Sequence, residues 1–219
     1  RLMQAPWRKA DEDWYRFSFG EVKQLSLAVS GLPEVDLTLA VYDKDGKEQV
    51  LAVNDNDKKE GEVIPRLVLS EGLVKVSARR GHFNAEHPYE LVLKTFPDDK
   101  HTEVEPNNDA GTAKPITVGD AMGWRGWLHP RKDVDVYLLD LGGQPQKSYT
   151  FEVSGIALAK VAVSVTDAEG NEVASKAATQ TKVPVSLTTE LDGGVYTVKV
   201  HKRGKPNPKD PYTLKVSEQ

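Results

Sequence analysis

Thr102-Glu103-Val104-Glu105-Pro106-Asn107-Asn108-Asp109 stands between two copies of one sequence pattern and carries the densest set of oxygen ligands in the chain. Side chains alternate along an extended backbone, so Glu103 and Glu105 point the same way. Pro106 fixes its own φ and holds the residue before it extended. Asn107, Asn108 and Asp109 then add short amide and carboxylate oxygens. Further along, Lys132-Asp133-Val134-Asp135-Val136-Tyr137 sets two more carboxylates on one face at the start of an expected strand. Oxygen donors gathered in this way suit a hard cation.

Working outward, the chain repeats itself on either side of that stretch. Asp11-Glu12-Asp13-Trp14-Tyr15 matches Asp133-Val134-Asp135-Val136-Tyr137 at an offset of 122. Val29-Ser30-Gly31 matches Val153-Ser154-Gly155, and Tyr42-Asp43-Lys44-Asp45-Gly46 matches Thr166-Asp167-Ala168-Glu169-Gly170, both at 124. Gly72-Leu73-Val74-Lys75-Val76 aligns with Gly194-Val195-Tyr196-Thr197-Val198, and Pro88-Tyr89-Glu90-Leu91 with Pro211-Tyr212-Thr213-Leu214. A self-similarity this long points to a duplicated unit. Only ten residues precede Asp11, whereas Thr102 to Lys132 precede Asp133, so the first copy is expected to be truncated at its N-terminus, without an acidic leading segment.

Within each copy the apolar residues alternate in short runs. Leu25-Leu27-Val29, Leu37-Leu39-Val41, Val161-Val163-Val165 and Val198-Val200 each put their side chains on one face. Gly, Pro, Asp and Asn separate the runs, with Asp45-Gly46 and Glu169-Gly170 as turn dipeptides. No amphipathic helical pattern is evident. The spacing predicts an all-β chain of two tandem β-sandwich domains of jelly-roll type, 1–97 and 98–219, each with its own core. The polar, proline-bearing Phe96-Pro97-Asp98-Asp99-Lys100-His101 is the expected linker.

Composition narrows the function. With 29 basic and 33 acidic residues the formal charge is −4, which argues against wholesale binding of nucleic acid. Zero cysteines remove disulfides, thiolate metal ligands and thiol nucleophiles. No apolar run approaches the roughly 20 residues of a membrane helix, and the N-terminus has no hydrophobic signal core, as expected of a mature fragment.

The combined motifs resemble the bacterial pre-peptidase C-terminal domain family, some of whose members are the collagen-binding domains of clostridial collagenases. The resemblance covers 102–219 and rests on Glu103-Val104-Glu105-Pro106-Asn107-Asn108, Gly126-Trp127-Leu128, Asp133-Val134-Asp135-Val136-Tyr137, Thr166-Asp167-Ala168-Glu169-Gly170, Gly193-Gly194-Val195-Tyr196-Thr197-Val198 and Pro211-Tyr212-Thr213-Leu214. It implies Ca2+ bound in the second domain by Glu103, Glu105, Asn107, Asn108, Asp133 and Asp135, six candidates for an ion that takes about six to eight oxygens. This sequence departs from calcium-binding relatives in two places: Lys132 stands where another oxygen ligand can lie, and Asn108 is neutral where many have Asp. The resemblance also implies a non-catalytic accessory module of an exported protein, secreted or in the cell envelope. It would serve secretion, localisation or binding of an extracellular protein or polysaccharide, attached to a larger protein. A structural or adhesive envelope protein and a carbohydrate-binding module are the alternatives.

The remaining patterns read as structure. Asp43-Lys44-Asp45-Gly46 and Asn54-Asp55-Asn56-Asp57 lack the glycine spacing of an EF-hand loop and read as hairpin turns. His82-Phe83-Asn84-Ala85-Glu86-His87 has one residue too many for an H-x-x-E-H zinc site and reads as a surface loop. Trp124 is expected to point into the core with Leu128, while the direction of Trp127 is left open. Arg79-Arg80-Gly81 and Lys202-Arg203-Gly204 place similar basic tips in the two copies.

Overall fold

The computed structural model describes residues 11–219, all of them strand, turn or irregular, with no helix. The chain is an all-β sandwich protein. It divides into two compact units, one ending at Asp98 and the other spanning Asp99–Gln219. The truncated start expected of the first copy concerns residues before Asp11 and lies outside those described.

The first unit is one antiparallel sheet of β1 (Glu12–Val29), β2 (Leu37–Tyr42), β3 (Gln49–Val53), β4 (Glu62–Ala78) and β5 (Leu91–Phe96), in the order β3-β2-β4-β1-β5. β1 and β4 are long enough to run through two layers. The first half of β1 pairs with the second half of β4, as in Trp14 opposite Lys75, and the second half of β1 pairs with the first half of β4, as in Leu27 opposite Ile64. Between Ser18 and Lys23 the register shifts, and Gly20 takes φ +73°, a region that glycine enters without steric cost. Leu25, Leu27, Val29, Leu37, Leu39, Val41, Val74 and Val76 from both halves share one buried cluster, so the sheet closes across itself.

The second unit has two sheets. One is β11 (Glu172–Ala177), β10 (Ala159–Thr166), β13 (Val195–Gly204), β8 (Val134–Asp140) and β6 (Lys114–Ile116), in that order; the other is β12 (Val185–Leu191), β9 (Lys147–Val153), β14 (Tyr212–Glu218) and β7 (Trp124–Gly126). β6 runs parallel to β8, and the other pairs are antiparallel. Tyr149, Phe151 and Val153 face Val161, Val163, Val165, Val198 and Val200 in a single core.

The pairings of the first unit recur in the second. The halves of β1 correspond to β8 and β9, those of β4 to β12 and β13, and β2, β3 and β5 to β10, β11 and β14. β6 and β7 have no counterpart among the described residues of the first unit. The Val-Ser-Gly motif has the same physical cause in both places. Ser30 and Ser154 each pair with the strand beside them, donating N–H to Glu90 O and Thr213 O and accepting on Oγ from the N–H of the same two residues at 2.8 Å. A Cβ on Gly31 would lie 2.0 Å from Lys59 O, and one on Gly155 2.3 Å from the Lys182 carbonyl carbon. Lys59 and Lys182 themselves both have positive φ.

One part of the sequence alignment is corrected by register. Val76 lies opposite Asp13 and Val200 opposite Asp135, so Val76 matches Val200 rather than Val198. A slip of two residues preserves the inward and outward alternation of a strand, so the hydrophobic pattern cannot detect it.

Candidate metal centre

The leading segment lies along the edge of β7. Glu103 N donates to Arg125 O at 2.7 Å, and Arg125 N to His101 O at 2.7 Å. The same segment then crosses to β8, where Val136 N donates to Asn107 O at 3.1 Å and Val134 N to Asn108 Oδ1 at 3.0 Å. Both sheets therefore hold it, and the alternation that turns Glu103 and Glu105 to one side aims them at the start of β8. Carboxylate oxygens of Glu103, Glu105 and Asp135 all lie within 4.8 Å of one another. Glu103, Glu105, Asn107, Asp133 and Asp135 are all buried.

Several oxygens in this cluster are fixed by neighbours. Trp127 N donates to Glu103 Oε1 at 3.0 Å, and Asn107 Nδ2 bridges Glu103 Oε2 at 2.7 Å and Asp135 Oδ1 at 3.1 Å. Asn107 N donates to Glu105 Oε2 at 3.2 Å, and His129 N to Asp133 Oδ2 at 2.7 Å. Tyr212 OH donates to Asp135 Oδ2 at 2.6 Å, and Tyr137 OH lies 2.6 Å from the Tyr212 hydroxyl. Glu105 Oε1, Asn107 Oδ1 and Asp133 Oδ1 are buried and accept no hydrogen bond from an N–H or hydroxyl donor. Buried acceptors are nearly always satisfied, so three such oxygens in one cluster suit a proton or a cation.

The electrostatics agree. Burial holds the Glu103 carboxyl well above the usual range, and the charges of Asp135 and Glu105 add to it. Burial also raises Glu105, though a hydrogen bond shared with the Asp133 carboxyl, the N–H of Asn107 and the Lys202 cation pull against it. Asp133 is raised by burial and then by the other three carboxylates, and Asp135 is pushed up to about 7, mainly by burial. Nearby cations are few: Lys114 opposes the rise at Glu103, and Lys202 at Glu105 and Asp135. The lysines are themselves engaged, Lys114 Nζ with Thr102 O at 2.6 Å and Lys202 Nζ with Pro130 O at 2.8 Å. Without a metal such a cluster must hold protons; a divalent cation among the same oxygens replaces them. The donor set is all oxygen, drawn from separate segments of the chain, and could hold a metal ion.

The six sequence candidates are thus placed unequally. Five are buried together, while Asn108 is exposed, with Oδ1 engaged by Val134 N and Nδ2 3.5 Å from Glu105 Oε2. Lys132 is exposed. Trp124 and Leu128 are buried in the core, and Trp127 is buried as well. Tyr137, Tyr212, Lys114 and Lys202 were not among the sequence candidates; Tyr212 reaches Asp135 from 77 positions away. Gly126 completes the wall, because a Cβ there would lie 2.4 Å from Tyr212 OH and 2.8 Å from Glu103 Cγ.

The remaining sequence readings are placed as follows. Asp43 closes the β2–β3 turn, accepting from Gly46 N on its carbonyl and from Lys47 N on its carboxylate. Asp55 N and Asn56 N both donate to the buried Glu62 Oε1, which ties their loop down. His82 and His87 lie in an irregular segment between β4 and β5, with His82 Nδ1 accepting from Asp36 N.

The first unit carries part of the same arrangement. Tyr89 OH donates to Asp13 Oδ2 at 2.7 Å, and the hydroxyls of Tyr15 and Tyr89 are hydrogen-bonded. These match Tyr212, Asp135 and Tyr137 one for one. Tyr15 is 40% exposed, however, and Tyr137 0%.

No protein-family model and no curated protein matches the chain. Solved structures similar to it include the pre-peptidase C-terminal domain of a collagenase from Bacillus anthracis. That likeness has 19% identity and a TM-score of 0.38, covering 48% of this chain and 93% of that one. The exported protein XepA of PBSX is similar over 94% of this chain and 84% of its own, at 10% identity and a TM-score of 0.30. A putative secreted protein from Parabacteroides distasonis is similar over 99% and 85%, at 9% identity and a TM-score of 0.26.

Proposed function

We propose that the chain is a non-catalytic binding or accessory module of an exported bacterial protein, built as two copies of one β-sandwich domain over 1–97 and 98–219. In the second copy, Ca2+ held by Glu103, Glu105, Asn107, Asp133 and Asp135 fastens the leading segment to β8. The observation that carries this reading is the burial of four carboxyls around three orphaned oxygens, Glu105 Oε1, Asn107 Oδ1 and Asp133 Oδ1. Paired strands, Val-Ser-Gly corners and Asp-Tyr-Tyr chains common to the two units support the duplication. The sequence motifs of the pre-peptidase C-terminal family support the exported, accessory role.

Calorimetry tests the metal. An ion that binds only the folded state at a hundredfold excess over its Kd stabilises by about 2.7 kcal/mol. The melting temperature of the second unit should rise by several degrees in calcium relative to chelator. Glu105→Ala should remove that rise. An unchanged melting temperature, or a rise that survives the substitution, overturns the reading.

A further inference from the structure

We propose that the outer face of β10, β11 and β13 is a binding groove for an acidic polysaccharide, held through its uronate carboxylates. The groove has a volume of about 470 Å³. Its floor is low because small residues meet in register: Ala162 lies opposite Ala177, and Ser164 opposite Ser175 on the next rung. Its rim is cationic. Lys160 and Arg203 lie directly opposite one another across β10 and β13, and His201 lies opposite Ala162 beside them.

These cations are not spent within the fold. Lys160 and Arg203 are exposed, and among the described residues neither side chain makes an ion pair or hydrogen bond. Lys176, also on the rim, donates to Ser186 O at 2.8 Å. Glu172, the one carboxylate lining the groove, accepts from Ser175 Oγ at 2.7 Å. A net positive rim on a chain of formal charge −4 is a local arrangement that complements a negative ligand. Burial, and then the Arg203 charge, hold the His201 imidazole below its usual value, so near neutral pH it is an uncharged partner for a hydroxyl.

The backbone argues for a sugar rather than a peptide. Extended peptides are read largely by main-chain hydrogen bonds. Here β10 is paired with β11 and β13, and β13 with β10 and β8, so over most of the floor the main-chain groups are engaged, the outer edge of β11 excepted. What remains is a shallow floor under side-chain donors, suited to a ligand rich in acceptors.

This inference rests on the reading of the chain as a binding module. The test is titration of the full chain, in calcium, with hyaluronate oligosaccharides, using neutral dextran oligosaccharides and polyglutamate as comparisons. Hyaluronate should bind, dextran should not, and polyglutamate should bind more weakly. The double variant Lys160→Ala/Arg203→Ala should weaken hyaluronate binding by at least about tenfold, as expected when cations facing an anionic ligand are removed. Lys44→Ala/Lys94→Ala, which removes two charges from the first unit, should leave it unchanged. Absence of hyaluronate binding, equal binding of polyglutamate, or binding that survives the groove variant overturns the proposal. The calcium-dependent melting shift, measured on the same variants, confirms that they fold and reports on the metal separately.

Discussion

Asp135 has three neighbours that sequence spacing does not connect: Tyr212 OH, Asn107 Nδ2 and the Glu103 carboxyl. Its acidic companions were legible, because Glu103 with Glu105 and Asp133 with Asp135 are spaced to share a face. Tyr212 and Lys202 were not, since only sheet register brings β14 and the end of β13 to that place. Asn108 illustrates the reverse: its composition suits a ligand, but its oxygen caps the start of β8. Protonation of this cluster sets a pH dependence. A carboxyl whose folded pKa is raised binds its proton more tightly in the native state than in the unfolded chain, so stability falls as pH rises between the two values. For Asp135, pushed up to about 7, chelated protein should lose stability from about pH 4 to about pH 7. Glu62, also raised to about 7 by burial, contributes the same sign in the first unit. Calcium should reverse the trend for the second unit, because its ligands must be deprotonated to bind. Melting curves across that range with calcium and with chelator check both signs.

Among the elements, β7 is only three residues long, yet it holds the leading segment and closes the wall of the cluster. Its shortness is why the sequence left Trp127 open, since alternation cannot be extrapolated past the end of so brief a strand. Gly126→Ala should destabilise the second unit by about 1–3 kcal/mol, the usual cost of overpacking. The Cβ meets Tyr212 OH at 2.4 Å, and chemical denaturation with fluorescence detection measures the effect. The leading segment itself should change with calcium. Amide exchange at Val134 and Val136, which donate to Asn108 and Asn107, should slow when the ion is added and return to its former rate with chelator. The longer strands were readable from their alternating Leu and Val residues. The two-residue slip of β13 was not, because it leaves the same faces buried.

At the level of the whole molecule, two compact units with separate cores imply separate cooperative transitions. Calorimetry should resolve two endotherms, with calcium moving the one that belongs to Asp99–Gln219. Leu27→Ala, which empties a fully buried site in the first core, should lower the other by about 2–5 kcal/mol and leave the calcium shift intact. Tyr137 and Tyr212 supply an optical consequence. Both phenols are buried and lie against Asp135, and their ionisation is displaced well above the ordinary range, first by burial and then by that carboxylate. Alkaline titration followed by phenolate absorbance should therefore leave these two chromophores silent while exposed tyrosines ionise. Their delayed, cooperative appearance would mark the pH at which base breaches the wall of the carboxylate cluster.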